Sequence, residues 1–221
     1  MQLFRTLIVL AAIPVVSSVW AQDPDPAKKP PTVDARPTAP RASPADYISQ
    51  GKAATVTIAA EFTGHAVTTP ATQYNDEDFV CVEVAIYGPD GAHLPVSYAH
   101  FSLRINGKKP QEAQAYETVF HSLKDPDWVP PDAPEKASKT SVGSGGGSDI
   151  NAPPPITPKM PFQMQRAMEI RVQKAALTEG DLPLPQAGLL FFKYGGKVSS
   201  LHSLELIYSG PGGKTTFALR P

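Results

Sequence analysis

"DFVCVEVAIY", residues 78–87, decides the fold. Val80, Val82, Val84 and Ile86 recur at every second position, the period of a β-strand. The opposite parity, Phe79, Cys81, Glu83, Ala85 and Tyr87, is mixed, so one face packs on a core and the other is half-polar. Parity sets Cys81 away from the main core, beside an ionisable Glu. There it reads as a small half-buried hydrophobe before a reactive thiol or an intermolecular bridge. Outward from this stretch the same period returns. "ATVTIAAEF" (54–62) puts Val56, Ile58, Ala60 and Phe62 on one side. "YAHFSLRI" (98–105) does so with Phe101, Leu103 and Ile105, and "AYETVFHSL" (115–123) with Tyr116, Thr118 and Phe120. Turn chemistry separates them: "YGPDGAH" (87–93) and the Asn-Gly of "NGKK" (106–109). Near the C-terminus come "AGLLFFKY" (187–194), "LHSLELIY" (201–208) and "KTTFALRP" (214–221), the last two joined by "SGPGG". Seven or more short strands with turns between them predict an all-β antiparallel sandwich.

Two proline-rich stretches and one helix break this pattern. Residues 1–21 read as a secretory signal: Arg5, the apolar run "LIVLAAIPVV" (7–16), and Val19 and Ala21 ahead of a cleavage point. That run is too short to span a bilayer. Residues 22–45 form a Pro-rich disordered linker, unable to bury enough surface to order itself. Residues 46–128 hold the first part of the sandwich, and 129–160 a Gly/Pro-rich linker. The glycine run "SVGSGGGSD" lacks the Lys-Ser/Thr of a phosphate loop. Residues 161–180 are the inserted helix, with Pro161 suited to its first position and Gly180 to its stop. A strand is the alternative there, because Met168, Ile170 and Val172 also alternate with polar neighbours. Residues 181–221 complete the sandwich.

The helix carries the most unusual spacing. Met160, Met164 and Met168 fall at i, i+4 and i+8, which lines three thioethers along one helical face. Such a face is a core or docking surface, with Cu(I) ligation as the alternative in an exported protein.

"DEDFVCVEVAIYGPDGAHLPVSYAHFSLRINGKK" (76–109), together with the Gly-led run "AGLLFFKY" and the "LEL" of "LHSLELIY", resembles an immunoglobulin-like extracellular domain family. That family is typified by mycobacterial immunoprotective antigens and includes many bacterial surface proteins. The likeness spans about 50–124 and 186–220 and leaves out both linkers and the helix. It implies an exported immunoglobulin-like sandwich with no assigned activity and carries over no catalytic residue.

Composition excludes several roles. Removing Arg5 with the signal leaves 19 Lys+Arg against 21 Asp+Glu, too balanced for nucleic acid or an anionic membrane. One cysteine allows no internal disulfide, so the fold rests on its core. The five histidines, His65, His93, His100, His121 and His202, show no metal-binding spacing, with His100 and His202 expected in strands. No G-x-S-x-G elbow occurs. The acidic runs "YNDEDF" (74–79) and "KDPDW" (124–128) lack the glycine turn of a calcium loop, and the first reads as a solvated loop before a strand. The expectation is therefore a periplasmic or extracellular, non-catalytic binding or scaffolding protein of the bacterial envelope. It needs no cofactor, and its partner is another envelope protein reached by strand addition or the helix face. Periplasmic Cu(I) handling through the Met stripe is the alternative, and a hydrolase with a dispersed site comes after it.

Overall fold

The computed structural model describes residues 33–129 and 159–221. The signal segment, residues 22–32 and nearly all of the 129–160 linker lie outside the described residues. In chain order the strands are β1 (Ser49–Lys52), β2 (Thr57–Gly64), β3 (Ala66–Thr68), β4 (Gln73–Asp76), β5 (Phe79–Tyr87), β6 (His93–Val96), β7 (Phe101–Ile105), β8 (Gln111–Glu112) and β9 (Leu123–Lys124). Helix α1 (Phe162–Ala175) follows, then β10 (Gly180–Pro183), β11 (Gln186–Lys193), β12 (Leu204–Gly210) and β13 (Gly213–Leu219). Among the described residues the fold is all-β with antiparallel strand pairing and one α-helix. One four-stranded sheet has the order β1-β2-β5-β11 and the other β13-β12-β7-β8.

The two sheets pack their apolar parities together. Val80, Val82, Val84 and Ile86 of β5 meet Phe101, Leu103 and Ile105 of β7 and Leu204, Leu206 and Tyr208 of β12. Burial of this cluster is the main driving force for the fold. The Asn-Gly turn forms as expected. Asn106 and Gly107 both have positive φ (50° and 69°), which Asn and Gly accept at little cost.

The other face of the first sheet departs from expectation. It is covered, and the sandwich gains a partial third layer. Met168, Val172 and Ala175 of α1 lie on Phe191 and Leu189 of β11 and on Cys81 of β5. Cys81 is completely buried in this second cluster and not half-exposed. Hence β5 is apolar at both parities except at Glu83: both of its faces are covered.

Three further expectations are corrected. Residues 115–123 are not a strand. Tyr116–Thr118 is a 3-10 turn whose amides bond locally, Thr118 N–H to the Ala115 carbonyl and Val119 N–H to that of Tyr116 (both 3.1 Å). With its donors used locally, the stretch cannot enter a ladder, and only Leu123–Lys124 does. The helix begins after Pro161, which caps it, and ends at Ala175, well short of Gly180. Ala176 turns extended because the Leu177 amide bonds the Leu189 carbonyl of β11 at 3.0 Å. That contact needs Gly188, where any Cβ would collide with the Leu177 backbone. Finally, residues 33–45 of the expected disordered arm lie against the domain, held by contacts described next.

Candidate functional site

The arm is anchored at three points, two on α1 and one on the first sheet. Arg171 Nε donates to the Asp34 carbonyl (3.2 Å), and the Thr38 hydroxyl to that of Ala175 (3.0 Å). The third anchor is Arg41. Its guanidinium pairs with Glu61 at 2.7 Å and with Glu83 at 3.6 Å, donates to the Asp46 carbonyl (2.7 Å), and lies 4.2 Å from the Tyr47 ring centroid. The Tyr87 hydroxyl donates to the Arg41 carbonyl at 2.8 Å. Glu61 and Glu83 are directly opposite each other on β2 and β5. Two like charges so placed repel, and Arg41 relieves that repulsion. Burial lifts Glu83 above the usual carboxylate range, with Arg41 opposing and Glu61 adding to the lift. Sequence reasoning gave Glu83 no partner, because Arg41 lies in a segment that looks like spacer.

Pro37, held between the first anchor and the second, forms one wall of a cleft of about 490 Å3. Tyr98, from the 3-10 turn Tyr98–His100, and Tyr116 line it too. The C-terminal end of α1 supplies Gln173 and Lys174, and Leu177 forms part of the floor. Gln173 Nε2 donates to the Tyr116 hydroxyl at 2.9 Å and so fixes that ring. Glu179 accepts from the Ser97 hydroxyl and the Tyr98 amide, both at 2.8 Å, and fixes the backbone that carries the other. Among the described residues the Tyr98 hydroxyl, the Lys174 ammonium and the Thr178 hydroxyl have no hydrogen-bonding partner. Burial, then the Glu179 and Glu117 carboxylates, push the Tyr98 hydroxyl well above the usual tyrosine value. It therefore stays protonated and can donate throughout the physiological range.

None of these cleft residues stood out in the sequence. They come from four separate segments, and the signal that could have pointed to them was weak: Tyr98 follows the turn-forming Ser97, and Tyr116 falls in a stretch that alternates like a strand. The three methionines are not brought together on one face. Met160 precedes the helix and is partly buried, Met164 is 42% exposed, and Met168 is 3% exposed inside the second core. The helix face that packs inward is Met168, Val172 and Ala175, a run without other ligand atoms.

The remaining candidates are structural. Asp76 is completely buried and not a solvated loop residue. It accepts from the amides of Asp78 (2.9 Å) and Phe79 (2.8 Å) and from the Ser122 hydroxyl (3.0 Å), tying the start of β5 to the 119–123 turn. His65 sets its two ring nitrogens 2.8 Å from the carbonyls of Phe79 and Gly196 and stacks on Tyr194, pinning the loop after β11. His100 lies in the 3-10 turn and His202 in the loop before β12, neither in a strand. Among the described residues no grouping of three His, Cys, Asp or Glu could hold a metal ion. Nor is any described helix long and apolar enough to cross a membrane.

The fold and site define an antiparallel β-sandwich with an outer helix and a tyrosine-lined cleft closed on one side by its own arm. No protein-family model matches the chain, and no curated protein matches it. A solved structure from Bacillus subtilis subsp. subtilis str. 168, described as a "putative lipoprotein", is similar at a TM-score of 0.35 and 12% identity. The alignment covers 76% of this chain and 37% of that one, so the chain spans little more than a third of that protein's length. So loose a superposition carries no argument here.

Proposed function

We propose that this is an exported, non-catalytic binding module of the bacterial cell envelope, built on an immunoglobulin-like sandwich and recognising its ligand in the arm-walled cleft. The observation that carries this reading is the cleft itself. The Tyr116 hydroxyl and the Tyr98 backbone are held by Gln173 and Glu179 of the cleft's own lining, and among the described residues the Tyr98, Lys174 and Thr178 polar groups are left free. Pre-set aromatic walls with a few convergent polar groups are the usual make-up of a small-ligand site. The export signal at 1–21 and the near-neutral charge support an envelope role that does not involve nucleic acid. Strand addition, a natural mode for sandwiches, is closed at β11. Its outer edge is already taken by the Gln114 amide, bonded to the Phe191 carbonyl at 2.8 Å, and by that of Leu177.

A fragment titration of the 15N-labelled mature chain tests this. Shift changes should concentrate on Tyr98, Tyr116, Gln173 and Thr178, and the fragments' own resonances should stay unchanged over hours. Hits spread over the sandwich, or chemical conversion of a fragment, would end the reading.

A further inference from the structure

We infer that the ligand of this cleft is a neutral saccharide; this rests on the cleft being the binding site. Three observations carry it. First, the walls are two tyrosines and Pro37. The flat apolar C–H face of a sugar ring suits an aromatic wall, and the tyrosine hydroxyl adds a polar handle at its edge. Second, among the described residues the Tyr98 and Thr178 hydroxyls and the Lys174 ammonium have no hydrogen-bonding partner, and the Glu117 and Glu179 carboxylates line the same cleft, so donors and acceptors are both present. A ligand bearing many hydroxyls, each both donor and acceptor, satisfies such a mixed set; an anion would meet the Glu117 and Glu179 carboxylates and a cation the Lys174 ammonium in the same space. Third, an extended peptide would need backbone partners. The nearest strand edge, that of β11, is occupied by Gln114 and Leu177, so a peptide would leave its own amides and carbonyls without a ladder.

The saccharide lies across Tyr116, its ring hydroxyls reaching Tyr98 on one side and Lys174 with Thr178 on the other. Pro37 of the docked arm closes the third side. Recognition is therefore complete only with residues 33–41 in place.

The test is an NMR titration of the 15N-labelled mature chain with two neutral probes, tetra-N-acetylchitotetraose and maltotetraose. A synthetic Pro-rich peptide of the sequence 33–42 serves as the comparison. Saturable shifts at Tyr98, Tyr116, Gln173 and Thr178 with at least one oligosaccharide are expected. Tyr98→Phe keeps the ring and removes only the hydroxyl, and should weaken binding about fivefold, the loss of one net hydrogen bond. Lys174→Ala, on the exposed side of the helix, serves as a second variant and should weaken it by a similar factor. No saturable shift with either sugar, or binding unchanged in both variants, overturns the saccharide. Saturation of the cleft by the peptide alone also overturns it while leaving the cleft as the binding site. Fragment hits away from the cleft overturn the site itself.

Discussion

Removing Arg41 should loosen the arm far more than removing one of its acidic partners. Arg41→Ala deletes an ion pair at 2.7 Å, a weaker one at 3.6 Å, a charge-assisted bond to the Asp46 carbonyl and a cation–π contact. The arginine side chain is 33% exposed, so each ion pair is discounted toward the surface range of about 0.2–1 kcal/mol. The cation–π contact adds about 0.5–1 kcal/mol, and the bond to the carbonyl is of similar size after solvent screening. The variant also leaves Glu61 and Glu83 opposed with no cation between them. A loss of about 2 kcal/mol follows from these contributions taken together. If arm and domain melt as one unit, that lowers Tm by about 4–8 °C. If the arm opens locally, exchange of the Asp46 and Tyr47 amides, which bond the Ser43 and Pro44 carbonyls, should quicken about 30-fold. Hydrogen exchange read by mass spectrometry, beside a urea melt, separates the two cases. Glu83→Gln is the control. It keeps the Arg41–Glu61 pair and removes the repulsion, so it should change stability by less than about 0.5 kcal/mol. A Glu83→Gln loss equal to that of Arg41→Ala, or no change in either assay for Arg41→Ala, would refute the reasoning.

Gly188→Ala drives a methyl into the Leu177 backbone and should cost about 3 kcal/mol in a denaturant melt. Gly107→Ala, with open space around it but φ of 69°, should cost about 1 kcal/mol from strain alone. Met168→Ala should cost about 3 kcal/mol through its cavity, whereas Met164→Ala should stay within about 0.5 kcal/mol; equal effects would put the methionines back on one face. Cys81 should resist a thiol reagent at pH 8 until the protein unfolds, because burial pushes its thiol well up and hides it. Burial, the largest cause, raises Asp76, and its three donors only partly offset this. The folded state therefore takes up this proton before the unfolded state does. The stability so contributed is fully present below the unfolded carboxylate value and is lost as pH rises through the folded one. Melts of the native chain and of Asp76→Asn, which preserves the acceptor for both amides, should diverge over that window, the native chain gaining more as pH falls. Parallel pH profiles would contradict this.

The alternation of Val80, Val82, Val84 and Ile86 was enough to establish a two-layer antiparallel architecture, because a strand with one buried face writes its period directly into the chain. The Asn106-Gly107 turn, the helix near 162–175 and the phase of β12 and β13 were legible for the same reason: each depends on neighbours within a few residues. The 115–123 stretch reads as a strand in sequence yet folds as a turn, because a 3-10 turn and a strand can share an apparent alternation over so short a span. What only the tertiary structure decided is long-range. Arg41 meets Glu61 and Glu83 across 20 and 42 positions of sequence, and Pro37, Tyr98, Tyr116 and Gln173 converge from four segments. No local period encodes such meetings. The arm looked like spacer because its composition cannot order it alone; it orders here because the sheet presents carboxylates and hydroxyls that its own residues satisfy.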